Sequence, residues 1–332
     1  MLGSFIFAVN AVLPIILMVA IGYFLKRIGF ISPDFVKMGN RLVFRIFLPA
    51  MLFLNVYSIK NIADMEFGFV IYAICGAVFA FGIGFLAAIL TTKDWRRRGV
   101  LLQASFRSNY ALIGIPLAGM LFPGEGEIVA TLLSAAIVPV FNILAVTSLS
   151  IFKADGKSAS VAGVLVGIAK NPLILSILAG LAALGIRAVF VEFDIGFRLT
   201  DVEPVFKTLE YLKSLATPLS LILLGAQFEF SAIGALKREI ITGVVVRSVI
   251  VPLTVLGFGY VFFGNVFSGA AFASLTAAFA TPIAVSSVPM VQEMGSDTEL
   301  AGQLVVFTTI ASAFSIFIAS FVFSLLGVFP TA

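Results

Sequence analysis

Apolar runs of about 20 residues recur along the chain, and this repetition constrains its fold more than any other feature. A bilayer core is about 30 Å thick, which an α-helix of about 20 residues can cross. Each segment in lipid has to satisfy its own backbone N–H and C=O groups, so helices are expected rather than an open sheet. The chain is therefore predicted to be an all-α membrane protein.

The composition agrees with this class and excludes others. Of the 332 residues, 61% are hydrophobic and 11% are charged, and the mean hydropathy is +1.14. A net charge of +4, confined mainly to loops, does not indicate a nucleic-acid surface. Cys75 is the only cysteine and histidine is absent, which removes the commonest metal ligand and general base. We expect no metal site, no cofactor and no enzymatic activity.

Ten transmembrane spans are predicted from the apolar runs. The first is expected to be retained, because the N-terminal segment lacks the positive charge of a signal peptide. The spans are Phe5–Leu25, Met38–Tyr57, Phe67–Leu90, Gly99–Leu121, Ile128–Phe152, Pro172–Ile186, Leu209–Phe228, Ile240–Phe263, Ser268–Glu293 and Glu299–Val328.

Lysine and arginine are concentrated in alternate loops, which predicts that these loops are cytoplasmic and that both termini lie outside. The acidic loop after the ninth span, with Glu293, Asp297 and Glu299, weakly opposes this orientation. The loop after the first span contains Lys26, Arg27, Lys37 and Arg41, and the loop after the third contains Lys93, Arg96, Arg97 and Arg98. The loop after the fifth span contains Lys153, Lys157 and Lys170, and the loop after the seventh contains Lys237 and Arg238.

The fourth span contains residues that are expected to interrupt its helix. Pro116 has no N–H group and its ring clashes with the carbonyl four residues earlier, so Ile115 is predicted to leave helical geometry. Gly114 lowers the cost of opening the chain, and Asn109 and Tyr110 bring polar groups to the same depth. Broken backbone in a membrane survives only where protein or water satisfies it, and in transporters such breaks form substrate sites.

The ninth span carries Pro282 and Pro289, which bracket the hydroxyl groups of Ser286 and Ser287. One interpretation is a kink whose freed carbonyls are re-bonded by Ser and Thr side chains. The other is a second break that crosses the first. Two half-helix N-termini would then meet near the midplane, where their positive ends favour an anion such as a carboxylate.

Polar residues near the two breaks form the candidate substrate site, namely Asn109, Tyr110, Arg107, Asn142, Ser286 and Ser287, with Gly114, Pro116, Pro282 and Pro289 as crossover or hinge residues. An interhelical hydrogen bond is the alternative role of Asn142. Arg45, Arg107 and Arg247 lie within apolar runs at similar distances from the predicted cytoplasmic ends. They are expected either to line an inward vestibule that attracts anions or to snorkel and pair with backbone carbonyls.

No aspartate or glutamate lies near the centre of a span, so a carboxylate proton relay has no obvious carrier. Coupling would then use Na⁺ on carbonyl and hydroxyl oxygens, or a proton carried by the substrate. Uncoupled export driven by the membrane potential is the third alternative.

The order of prolines suggests an internal repeat. Pro14 to Gly22 in the first span has the same spacing as Pro172 to Gly180 in the sixth. The second and seventh spans, and the fourth and ninth, also carry prolines in matching order. Because five spans make an odd unit, the second copy has to insert upside down. Residues 1–157 and 158–332 are therefore predicted to be inverted five-helix repeats.

Seven short motifs are spread over nearly the whole chain, namely Asn40-Arg41, Leu48–Phe53, Asn109–Leu117, Gly124–Gly126, Asn171-Pro172, Pro282–Ser287 and Gly295–Ala301. These motifs resemble those of the auxin efflux carrier family, which includes bacterial permeases regarded as carrying malonate or malate. The resemblance implies ten helices in two inverted repeats, crossing broken helices four and nine, and a small organic-anion substrate at the crossing.

Two departures from the family pattern concern the substrate. Ser286 stands where many bacterial members have Asn, and Pro289 resembles plant rather than many bacterial members. The short loop Lys153–Ser160 resembles that of prokaryotic permeases, which implies a bacterial inner membrane. The leading prediction is a secondary transporter that moves small organic anions by alternating access, with its site at the crossing of the fourth and ninth spans and with a dicarboxylate such as malonate or malate, or an auxin-like carboxylate, as substrate. The alternatives are a sodium-coupled organic-anion symporter of the bile-acid type and a non-transporting membrane receptor. A homodimer through the first three spans is left open.

Overall fold

The computed structural model describes residues 2–58, 67–152, 166 and 169–330, with side chains from residue 13 onward. This part of the chain is helical and contains no strand, which confirms the all-α prediction for it. The helices are α1 (Leu2–Arg27), α2 (Pro33–Leu42), α3 (Leu48–Tyr57), α4 (Phe67–Thr91), α5 (Trp95–Phe106), α6 (Ile115–Leu121), α7 (Gly126–Ile151), α8 (Pro172–Glu192), α9 (Glu203–Gln227), α10 (Ala232–Ala235), α11 (Lys237–Val245), α12 (Val251–Phe263), α13 (Gly269–Phe279), α14 (Ser287–Glu293) and α15 (Thr298–Leu325).

The described helices overlap every predicted span, although some bounds differ. The fourth span begins at Trp95 rather than Gly99, because the side chain of Asp94 accepts a hydrogen bond from the backbone N–H of Arg96 and caps α5. The sixth extends to Glu192 rather than Ile186. Among the described residues, seven spans are long and apolar enough to cross a membrane. The predicted repeat boundary at 157–158, and the basic residues Lys153 and Lys157, lie outside the described residues.

Three π-helical turns adapt long helices to proline. The turns Val43–Phe47, Tyr110–Gly114 and Val246–Ile250 each precede an X-Pro pair. The wider turn leaves room for the proline ring and for its missing N–H group. The carbonyl of Ser248, four residues before Pro252, instead accepts a 2.6 Å hydrogen bond from the hydroxyl of Ser315. Proline at these positions therefore changes the helical turn without ending the helix.

The helices pack in two groups. In the first group, α1 lies along α9, and α3 packs on α8 and α9. Gly22 and Gly225 allow the close approach of α1 and α9, since an added Cβ at either would collide with a backbone carbonyl of the other helix. In the second group, α7 packs on α4, α5, α6 and α13, while α15 packs on α11 and α14. The two groups also touch, because α15 packs on α1, and α2, which packs on α9 of the first group, contacts α14 of the second.

Charged residues join several helix ends at one face of the bundle. Glu293 lies 3.6 Å from Arg41 and 3.4 Å from Arg45. Arg97 lies 3.2 Å from Asp297. These pairs place the acidic loop after the ninth span beside basic residues of the second and fourth spans. Glu293 and Asp297, two of the three acidic residues that weakly opposed the predicted orientation, therefore pair with basic residues at this face.

Candidate functional site

Two interrupted helices cross and pair through short extended segments. The first interruption separates α5 from the π-turn that leads into α6, and the second separates α13 from α14. Between them, Ser108 and Ile283 form an isolated antiparallel bridge. The backbone N–H of Asn109 donates to the carbonyl of Pro282 at 2.9 Å, and that of Ala284 donates to the carbonyl of Arg107 at 3.3 Å. Each break thus satisfies backbone groups of the other.

The first break lies earlier than the proline pattern predicts. Helix α5 ends before Arg107, whereas Ile115 is helical with φ −60° and ψ −52°. Pro116 occupies the first turn of α6, where its missing N–H costs little because the preceding π-turn absorbs it. The prediction of a break at Gly114 to Pro116 is therefore wrong. Gly114 has a packing role instead, since an added Cβ would lie 3.1 Å from the carbonyl oxygen of Ala277.

The second break contains only one of its two predicted prolines. Pro282 lies between α13 and α14 and its carbonyl pairs with the first break. Pro289 lies inside α14, in its first turn, where a proline is tolerated. Of the predicted hinge residues, Pro282 is therefore the one that lies in an interruption.

Arg107 places a buried guanidinium group beside the crossing, with only 3% of the residue exposed. Its Nη2 donates to the Oδ1 of Asn142 at 3.0 Å and to the hydroxyl of Ser286 at 3.1 Å. Its Nη1 lies 3.3 Å from the hydroxyl of Ser287 and 3.1 Å from the sulfur of Met290. In the described part of the chain, no carboxylate lies within 4.0 Å of it. A buried cation without a counter-charge is costly, so this arrangement suits an anionic ligand.

The two predicted amide residues have different surroundings. Both polar atoms of Asn142 have partners, because its Nδ2 donates to the carbonyl of Val138 at 2.8 Å while its Oδ1 accepts from Arg107. It therefore orients the guanidinium group. The Nδ2 of Asn109 is buried and finds no hydrogen-bond partner among the described residues. An unpaired buried donor costs about 1–3 kcal/mol, which a ligand oxygen would recover.

A cavity of about 50 Å³ lies between the crossing and the first helix group. Arg107 is the only charged side chain among the described residues that line it. Asn55 of α3 also lines it and was missed by the sequence reasoning, although an amide inside the apolar second span was a usable signal. The polar lining comprises Asn55, Arg107, Ser108, Asn109, Tyr110, Asn142 and Ser286, and the apolar lining comprises Leu48, Met51, Leu52, Ala111, Val138, Phe141, Leu173 and Ala284.

Tyr110 lines the cavity, but its hydroxyl group is used elsewhere. The residue is 1% exposed, and its hydroxyl lies 2.7 Å from that of Ser274 and donates to the carbonyl of Ala130 at 3.1 Å. These bonds tie the start of the second half-helix to α7 and α13. The expectation that the tyrosine hydroxyl contacts the substrate does not agree with this geometry.

The predicted band of three arginines is not present, because the residues occupy different environments. Arg45 has a side chain that is 64% exposed and pairs with Glu293. Arg247 is fully buried and donates only to backbone carbonyls at the crossing. Pairing with backbone carbonyls, the second of the two expectations, therefore describes Arg247. Arg107 alone of the three lines the cavity.

Comparison with known proteins gives the family. The model of the family described as "Membrane transport protein" matches residues 7–320. An uncharacterized transporter of Methanocaldococcus jannaschii is 28% identical over 227 residues, which cover 65% of this chain and 67% of the relative. An uncharacterized transporter of Methanothermobacter thermautotrophicus is 27% identical over 124 residues, which cover 37% of this chain and 41% of the relative. Since the family match spans nearly the whole sequence, the chain belongs to the membrane transport protein family, that of the auxin efflux carriers whose motifs it resembles.

Proposed function

We propose that this chain is a secondary transporter that carries small organic anions across the membrane by alternating access, with the substrate bound where the two interrupted helices cross. The observation that carries the proposal is the buried guanidinium of Arg107, which has no carboxylate partner in the described residues and lies beside the unpaired amide of Asn109. Membership of a membrane transport family supports the transport part of the proposal.

A carboxylate supplies what both groups lack. Its negative charge compensates Arg107, and its oxygens accept from the Nδ2 of Asn109 and from the Nη1 of Arg107, in place of the weak contact with the sulfur of Met290. Hydrogen bonds to charged groups contribute about 1.5–3 kcal/mol each. The turn that begins at Tyr110 adds its first backbone N–H groups, which have no partner within the helix, and the positive end of its dipole. Asn142 and Ser286 keep the guanidinium in place while the ligand binds.

The lining favours a monocarboxylate with an apolar remainder over a dicarboxylate. Only one cation lines the cavity among the described residues, and the wall formed by Leu48, Met51 and Phe141 is apolar. A second carboxylate would lie against that wall without a counter-charge, at a cost of several kcal/mol. A volume of about 50 Å³ holds a carboxylate and a short chain. An aromatic carboxylate would require the cavity to widen during the transport cycle.

The proposed architecture is two inverted five-helix repeats, residues 1–157 and 158–332. It is supported by one interrupted helix in the fourth span of each half and by the antiparallel pairing of the two breaks. The cavity lies between α3 and α8 on one side and the crossing on the other. Relative movement of the two helix groups would expose it to either side in turn.

Polar contacts at the charged face mark where the groups separate in this proposal. The Nδ2 of Asn40 in α2 donates to the Oε1 of Gln292 in α14 at 2.6 Å. The neighbouring Glu293 pairs with Arg41 and Arg45. By the lysine and arginine bias this face is cytoplasmic, and these contacts close it. Opening toward the cytoplasm requires all of them to break.

No carboxylate or histidine of the described residues lines the cavity to carry a coupled proton, and Arg107 places a positive charge there that would repel a Na⁺ ion, so the proposed transport is uncoupled and follows the membrane potential. An inside-negative potential favours outward movement of one negative charge by about 2.3 kcal/mol per 100 mV. A sodium-coupled symporter of the bile-acid type is the alternative transporter, and a non-transporting receptor is the alternative outside transport. The bacterial inner membrane and outward-facing termini remain predictions from the sequence.

Uptake into proteoliposomes tests the proposal. The purified protein would be assayed with labelled propionate, lactate, malonate, malate and indole-acetate, with and without gradients of Na⁺, protons and membrane potential. We expect saturable movement of a monocarboxylate that responds to the potential and not to Na⁺. Preference for malonate or malate would contradict the monocarboxylate specificity, and dependence on a Na⁺ gradient would favour the symporter. Binding without movement of any anion would favour the receptor.

A further inference from the structure

Arg247 is the most completely buried charged residue of the described chain, and it contacts the crossing from the side formed by helix C-termini. The residue is 0% exposed and lies in the π-turn between α11 and α12. Its guanidinium bonds five times to backbone carbonyls, namely Nε to Thr281 at 3.0 Å, Nη1 to Ser105 at 3.4 Å and Phe106 at 3.2 Å, and Nη2 to Ala278 at 3.1 Å and Thr281 at 2.7 Å.

These carbonyls belong to the two helix ends that the interruptions create. Ser105 and Phe106 are the last residues of α5, while Ala278 and Thr281 lie at the end of α13. The last carbonyls of a helix have no partner within it, and they carry the negative end of the helix dipole. Two such ends meeting inside a membrane repel each other and require a cation between them.

Carbonyl oxygens that converge from several backbone positions are also the ligands that bind dehydrated inorganic cations in membrane proteins. In this chain the guanidinium group of Arg247 lies among the converging carbonyl oxygens, where such a cation would bind. Its planar group, with five N–H donors, reaches both helix ends at once, which a lysine ammonium cannot do with the same geometry.

Arg247 is also connected to the proposed substrate site through the backbone. It holds the carbonyl of Phe106, and the next residue is Arg107, whose side chain lines the cavity. The carbonyl of Arg107 is in turn bonded to the second break through Ala284. The two contacts therefore hold the peptide groups on both sides of the Arg107 Cα.

We propose that Arg247 is a built-in cation, which holds the C-terminal ends of the two interrupted helices together, positions Arg107, and takes the place that a bound Na⁺ or K⁺ would otherwise occupy. Stability of the crossing then requires no inorganic cation. The expectation that uptake needs no Na⁺ rests on the proposed function. The structural part of the proposal, that Arg247 holds the two helix ends together, does not.

Thermal unfolding of the purified protein tests the structural part without a substrate. Wild-type protein, Arg247→Ala, Arg247→Lys and the control Arg238→Ala would be melted in choline chloride, then with Na⁺ replacing choline at constant ionic strength, and then with millimolar guanidinium chloride. Arg238 is a suitable control because it donates to one backbone carbonyl, that of Leu90, at an exposed site.

We expect the wild-type protein and Arg238→Ala to melt at the same temperature in choline and in Na⁺. Arg247→Ala should melt several degrees lower and regain part of the loss with guanidinium or Na⁺, since either ion can bind the exposed carbonyls. The melting temperature of Arg247→Lys should lie between those of the wild-type protein and Arg247→Ala. In proteoliposomes, uptake by Arg247→Ala should become dependent on the added cation, which a role in packing alone would not produce.

A saturable rise in the wild-type melting temperature with Na⁺ would overturn the proposal, as would an Arg247→Ala protein that melts like the wild type. If Arg247→Ala cannot be purified in a folded state, Arg247→Lys carries the same test. If neither variant folds, the wild-type response to Na⁺ decides. Absence of uptake by the wild-type protein would contradict the proposed function and leave the melting results to judge the role of Arg247.

Discussion

The hydroxyl groups of Ser108 and Thr281 lie 2.6 Å apart and join the two interrupted helices at their crossing. Both residues are buried, and the hydroxyl of Thr281 also lies 2.7 Å from the carbonyl of Ala277. The carbonyl of Thr281 accepts from Arg247. One residue of the second break thus links the first break, the end of α13 and the buried guanidinium, which makes the crossing one connected polar network.

Replacing Thr281 with valine should destabilise this network. Valine keeps the shape but removes the hydroxyl, and Ser108 then loses its shortest hydrogen bond inside a buried region. We expect a loss of about 1–3 kcal/mol in the free energy of unfolding, measured as a lower melting temperature of the purified protein. The matched control is Thr254→Val, since the hydroxyl of Thr254 bonds only to carbonyls of its own helix. Equal melting temperatures for the two variants would contradict a role for the hydroxyl pair.

The contact between α1 and α9 should be equally sensitive to size. A Cβ added to Gly225 would collide with the carbonyl of Val19, which is backbone and cannot rotate away. Gly225→Ala should therefore cost about 1–3 kcal/mol, seen as a lower melting temperature. Gly82→Ala is the control, since an added Cβ at Gly82 meets nothing within 4 Å and the substitution favours a helix. If Gly225→Ala proves as stable as Gly82→Ala, the two helices do not approach as closely as the structure shows.

The positions of the helices could be predicted from the sequence, because lipid forces apolar composition and helical backbone into the same segments. The meeting of two breaks was also predicted, from polar and proline-containing stretches in the fourth and ninth spans. The site of the first break was not. Arg107 to Asn109 contains no proline or glycine, and it leaves the helix because its backbone pairs with Pro282 and Ala284, about 175 residues away in the chain. Local propensity contains no information on such a partner.

The roles of the three arginines in apolar runs could not be predicted from the sequence either. Arg45, Arg107 and Arg247 lie at comparable depths in apolar runs, and hydropathy does not distinguish the face of the helix on which each projects. In the structure one is exposed, one lines the cavity and one binds the helix ends. The residue types of the candidate site were recognised from the sequence, and Asn55 could have been, from its amide in the apolar second span. The use of the Tyr110 hydroxyl could not, because it depends on the packing of α7 and α13.

The charged contacts between α2 and α14 should control access from one side of the membrane. Glu293→Gln removes two ion pairs, each partly exposed and therefore together contributing about 1 kcal/mol. We expect an about fivefold higher rate of labelling of Val36→Cys by a membrane-impermeant maleimide in a Cys75→Ala background. Val36 is 7% exposed and lines a groove together with Gln292.

The control for this measurement is Glu203→Gln, which makes the same change of charge at an exposed pair with Lys207 within α9. It should leave the labelling rate unchanged. An unchanged rate in Glu293→Gln, or an equal rise in both variants, would mean that the pairs do not hold the two helix groups together.

Arg107 is the residue on which the proposed substrate site depends most directly. Arg107→Gln keeps a polar side chain but removes the only charge among the described residues that line the cavity. The substrate should lose at least one charge-assisted hydrogen bond, about 1.5–3 kcal/mol, which corresponds to an affinity about 10- to 150-fold weaker. Arg107→Lys keeps the charge, but its three N–H donors cannot serve Asn142, Ser286, Ser287 and the ligand together, so its affinity should lie between those of Arg107→Gln and the wild type.

The affinity would be measured by titrating the purified protein with the carboxylate that gives the highest uptake, and by the substrate concentration at half-maximal uptake. Melting temperatures of the same variants separate binding from folding, because loss of an uncompensated buried charge should leave stability unchanged or raise it. Arg238→Gln is the control, because Arg238 is exposed and takes no part in the cavity or in the pairs with Glu293, so substrate affinity should remain at the wild-type value. Wild-type affinity in Arg107→Gln would exclude the guanidinium from the substrate site, and the described lining of the cavity would then have no charged group with which to bind a carboxylate.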